Sequence, residues 1–146
     1  WVELARTARA TVVFTDGATH RTRRGPGPVE VALPQEAPLN REWIVVCDAP
    51  DLPACMAAVE RPGQADSTDS RRRFEMVWTL DPRAVRYASR VATSLADEYR
   101  PGWRTGDLSL LDDEPPDASS ELLRASDLLS RMMGYVDGGD SRRRGR

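Results

Sequence analysis

The sequence predicts a mixed α/β fold: a single layered domain with about four strands covered by three helices. Three observations carry that expectation. Four short runs rich in β-branched and aromatic residues are each bounded by Gly, Pro or Asp. Three other stretches repeat apolar residues at helical spacing. A length of 146 residues suits one domain, and apolar strand faces require helices to cover them.

The elements follow in order. Trp1, Leu4, Ala5 and Ala8 share one helical face, so the opening stretch reads as the end of a helix. Thr11-Val12-Val13-Phe14-Thr15 is a strand that stops at Asp16-Gly17. Residues 18–28 are rich in Arg, Gly and Pro and read as a loop. Val29–Leu33 alternates as a half-buried strand does. Glu42–Asp48 has an unbroken apolar run after Trp43, which predicts a central strand covered on both faces. Asp51 can cap a short helix with Pro53 in its first turn, because Leu52, Cys55, Met56 and Val59 fall at i, i+3, i+4 and i+7. Residues 64–72 are a polar surface loop, and Phe74–Thr79 is a strand with Phe74, Met76 and Trp78 on one face. Asp81-Pro82 marks a helix start, and Val85, Ala88, Ala92, Leu95 and Tyr99 form its stripe up to Pro101-Gly102. Residues 105–118 are an acidic connector containing Pro115-Pro116. Ser119 or Ser120 caps a last helix over 119–137 with the stripe Leu122, Ala125, Leu129, Met132 and Val136. The Arg-rich tail 138–146 has nothing to bury and is expected to be disordered.

Composition removes several function classes. The 21 basic residues are all Arg and face 23 acidic ones, for a net charge of −2, so direct nucleic-acid contact is not expected. The Arg clusters at 21–24, 71–73 and 142–146 have no interleaved aromatic residues for base stacking. No apolar run approaches the roughly 20 residues of a membrane span. His20 is the only histidine and sits among arginines, which leaves it without a partner for general-base work. There is no Ser-His-Asp or Cys-His arrangement, no Gly-rich phosphate loop and no metal-type spacing. The expectation is therefore no enzyme, no metal site, no catalytic residue and no cofactor that the residues can name. Cys47 and Cys55 lie in apolar surroundings, as small buried thiols of a reduced, cytoplasmic protein would. Trp1 is not a translational start, so a longer parent chain is expected.

Three segments carry a family resemblance. They are Trp1–Ala8 with the following Thr11–Asp16, then Pro38–Ala49 with Val59-Glu60-Arg61-Pro62-Gly63, then Arg72–Pro82 running into the Ala/Val-rich helix. In this order and spacing the chain resembles the DICT sensory domain of actinobacterial regulators, with its N-terminal part missing. The resemblance covers 1–104 and extends to the helix at 119–137. It implies a non-enzymatic, signal-responsive module of a bacterial signalling or transcription regulator. Its implied partner is an attached output module, such as a MerR-like helix-turn-helix, and a homodimer is compatible with it. The alternative is a protein-interaction or dimerisation module without a small-molecule ligand.

Two sets of residues are candidates for a site. Arg41, Trp43, Glu60, Arg61, Arg73, Glu75 and Trp78 could form a ligand pocket with tryptophan walls and a charged rim. They could equally be ion pairs at element ends, the commoner arrangement. Met132 and Met133, beside Leu128 and Leu129, could widen the last helix's apolar face into a partner-binding surface, or simply pack in the core.

Overall fold

The computed structural model describes residues 2–17, 27–64, 71–104 and 109–143. The fold is mixed α/β, and the described residues form five strands in two sheets and three α-helices. Helix α1 (Val2–Thr7) leads into β1 (Val12–Asp16), which pairs in parallel with β2 (Val29–Leu33). A 3-10 turn at Pro38–Arg41 then feeds a second sheet. There β3 (Glu42–Cys47), β4 (Ala54–Glu60) and β5 (Phe74–Thr79) run antiparallel with β4 in the centre. Helix α2 (Pro82–Tyr99) packs on β2, β3 and β4, and α3 (Ser120–Arg143) packs on β5.

The helix boundaries follow the local chemistry. Asp81 accepts a hydrogen bond from the Arg83 N–H at 2.9 Å, and Pro82 occupies the first turn. Gly102, with φ +78°, turns the chain away after Tyr99. Ser119 Oγ accepts from the Leu122 N–H and caps α3. Val31, Ala96 and Trp103 form a core cluster with Val12, Phe14, Val29 and Tyr99 against it, which ties the parallel pair to the end of α2.

Three expectations are corrected. Residues 54–60 are a strand, not a helix. The 3–4 spacing of Leu52, Cys55, Met56 and Val59 spans too few residues to separate the two periods. The extended conformation that Pro53 favours at Leu52, and two flanking strands needing a partner, decide for β. Consequently β3 is an edge strand rather than a covered central one, because β4 takes the middle position. Trp43, Ile44 and Val45 are exposed there. Finally, α3 runs through Gly138-Gly139 to Arg143, beyond the glycine pair that suggested its end. The greater part of the Arg-rich loop at 18–28, including His20 and Arg21–Arg24, lies outside the described residues, as do 65–70 of the loop at 64–72. No helix among the described residues is long and apolar enough to cross a membrane.

Candidate functional site

The sheet register places the candidate residues. Residues directly opposite each other in an antiparallel pair share a face. Trp43 lies opposite Ala58 and Ala58 opposite Met76, while Val45 lies opposite Met56 and Met56 opposite Trp78. Trp43 and Trp78 therefore share one face, but they stand on the two edge strands, about 10 Å apart by strand spacing. Trp43 is 67% exposed. Trp78 is half-buried, and its Nε1 is a buried polar atom without a partner among the described residues. Neither tryptophan lines either of the two best-developed clefts.

The charged candidates do converge. Arg41, Glu60, Arg61, Arg73 and Glu75 gather at one end of the sheet, where β4 turns into β5. Two of them form a pair, and a third pairs with the neighbouring Arg72. Arg61 pairs with Glu75 at 3.4 Å, and Arg72 pairs with the largely buried Glu60 at 3.6 Å. Gln64, which the residue patterns did not single out, closes this end. Its Nε2 donates to the Arg61 and Arg73 carbonyls at 2.9 and 2.8 Å, and its Oε1 accepts from the Arg73 N–H at 2.8 Å. Gly63 reaches φ +81° to make the turn. The space left between Arg41, Glu60, Arg61, Gly63 and Gln64 is about 50 Å³, room for water and far below the ~300 Å³ of a small-molecule site. The charges fasten a hairpin.

A larger, open cleft of about 400 Å³ lies beside α2, lined by Arg90, Thr93, Ser94, Arg104, Ser109, Leu111 and Asp112. Its two guanidiniums are already engaged. Arg90 donates to the Leu111 and Asp113 carbonyls and pairs with Glu114 at 3.2 Å. Arg104 binds Asp97, which also accepts from Trp103 Nε1 at 2.9 Å. These bonds, the Arg104 one foremost, hold the Asp97 carboxyl below the usual carboxylate range.

Among the described residues the buried charge is Arg86, 5% exposed. It donates from Nε and Nη2 to both carboxylate oxygens of Asp48, and from Nη1 to the Asp113 carbonyl at 2.6 Å. The hydrogen bond it donates to Asp48 is the main reason its guanidinium holds its proton even more firmly than usual. The acidic connector is therefore strapped to α2 by Arg83, Arg86 and Arg90, since Arg83 also pairs with Asp117 at 2.6 Å. Spacings of three and four put these arginines on one helix face, a signal visible in the sequence once the stripe is drawn.

Apolar side chains are exposed over much of the remaining sheet and helix surface. Val77 is 70% exposed, and Val59 and Met76 are exposed as well. On α3, Leu122, Ala125 and Leu129 are half-buried. Met132, expected in that stripe, is exposed, as are Met133, Leu128 and Tyr135. The reason is length: 24 residues of helix rise about 36 Å, whereas the six residues of β5 cover only about 20 Å. Among the described residues no cluster of His, Cys, Asp or Glu could hold a metal ion.

No family model, curated protein or solved structure matches this chain.

Proposed function

We propose that this chain is a non-enzymatic association module of a cytoplasmic bacterial regulator, which works by bringing two copies together. One observation carries the reading. Consecutive apolar residues of β3, with Met76 and Val77 on β5 and Leu128, Met132 and Met133 on α3, are left exposed by the fold. Single exposed apolar residues are ordinary, but three successive ones on an edge strand, Trp43, Ile44 and Val45, leave apolar surface that a contact would cover. The place in a regulator, with an output module such as a MerR-like DNA-binding domain attached, comes from the DICT resemblance alone.

The signal-responsive reading that the same resemblance implies is favoured by the open cleft beside α2, whose volume is that of a ligand site. Its arginines face internal acceptors, so an incoming anion would have to displace them. Association is the better-supported function.

Sedimentation velocity over a dilution series tests it. A monomer–dimer equilibrium is expected. A single monomer boundary at every concentration, together with saturable uptake of a small metabolite in calorimetry, would reverse the order of the two readings.

A further inference from the structure

The geometry points to the outer edge of β3 as a two-fold contact between two copies of this chain, made by antiparallel β3–β3 pairing; this rests on the association reading above. The strand is at the edge of its sheet, and nothing among the described residues bonds to the outward backbone groups of Trp43–Cys47. Such edges are ordinarily guarded by charge, proline or a covering element. The run Trp43-Ile44-Val45-Val46-Cys47 has no charged residue and no proline. The opposite edge, β5, carries Glu75 within it and has α3 packed against it. On β3 the one charge, Glu42, stands at the first position, and Trp43, Ile44 and Val45 remain exposed although α2 packs on the strand.

The strand also complements itself. A two-fold axis perpendicular to an antiparallel pair keeps each side chain on its own face, so opposed residues must have the same parity. Two registers centre the apolar run. With Val45 on the axis, Glu42 faces Asp48 of the second copy, whose carboxylate is already held by Arg86, and Trp43 faces only the small Cys47 of the second copy. With Ile44 on the axis, Glu42 faces Val46 of the second copy instead. Trp43 then lies opposite Val45 of the second copy, once on each side of the axis. Aromatic residues against β-branched ones are favourable cross-strand pairs, and the exposed indole gains a cover. The Trp43–Val45 pairing thus selects the Ile44 register, and its product is one six-stranded sheet shared by two copies.

Cysteine cross-linking reads that register directly. In a Cys47→Ser background, Ile44→Cys sets two thiols opposite each other on the axis, within the Cα separation a disulfide needs. Mild oxidation should give a covalent dimer with Ile44→Cys and little with Val45→Cys. Separately, Ile44→Lys places two like charges face to face and should weaken dimerisation by about tenfold or more in sedimentation velocity. An unchanged circular dichroism spectrum and urea midpoint would show that this variant folds. A dimer that survives Ile44→Lys and cross-links through Met133→Cys would overturn the β3 contact while leaving association standing. Efficient cross-linking at Val45→Cys would overturn it too. A chain that stays monomeric at every concentration would sink both the contact and the association reading.

Discussion

Arg86 shows how much one buried charge can organise. Its guanidinium joins the residue after β3, the body of α2 and the backbone of the acidic connector. Removing one member of a buried pair leaves the other uncompensated, which typically costs about 3–5 kcal/mol. Asp48→Ala should therefore lower urea stability by that order, and a change of a few tenths would mean that the Asp113 carbonyl alone satisfies Arg86. The two cysteines differ in the same residue-level way. Cys47 is exposed, whereas burial raises the Cys55 thiol pKa. A thiol reagent should modify Cys47 quickly and Cys55 only after denaturation; two fast equivalents in the native chain would contradict the burial. Asp97 supplies a pH dependence. Its folded pKa lies below the ordinary 3.8, so its contribution is complete above that pH and is lost as pH falls through the folded value. Asp97→Asn should flatten the acid limb of a stability–pH curve, and an unaltered limb would show that Asp97 titrates normally.

At the scale of elements, the connector is an acidic stretch whose carbonyls and carboxylates meet a row of arginines on α2. Solvation was the expectation from its charge and prolines, and much of it is indeed exposed. The contacts of Arg83 and Arg90 are exposed ion pairs, individually worth at most about 1 kcal/mol. They hold position more than they hold the fold together. Arg90→Ala should therefore speed proteolytic nicking near residues 109–117 and leave the urea midpoint nearly unchanged. Equal nicking rates would show that Arg86 alone retains the strap. The sheet teaches a related lesson: β4 carries mostly small residues, Ala54, Cys55, Ala57 and Ala58, which suit a central strand as well as a helix.

At the scale of the molecule, the five strands and three α-helices of the described residues leave many large apolar side chains exposed. Met133 is exposed on α3, so Met133→Glu should change unfolding free energy by no more than about 0.5 kcal/mol; a loss of several kcal/mol in a urea melt would place it in a core. What could be read from the sequence alone was local. The strands at 12–16, 29–33, 42–47 and 74–79, the Asp81-Pro82 cap and the Pro101-Gly102 stop were legible, because φ restriction and capping act within a few residues. Of the charged candidates, Arg61 pairs with Glu75, and Glu60 pairs with Arg72 at the same sheet end. Their work as hairpin fasteners was not legible, since it depends on Gln64 reaching across to Arg73. Nor was the strand at 54–60, whose conformation is decided by the two strands that flank it and not by its own periodicity. Once β4 fills the centre, β3 is forced to the edge. The apolar run that suggests burial then becomes an exposed edge, because strand order is a property of pairing between distant segments and not of any one of them.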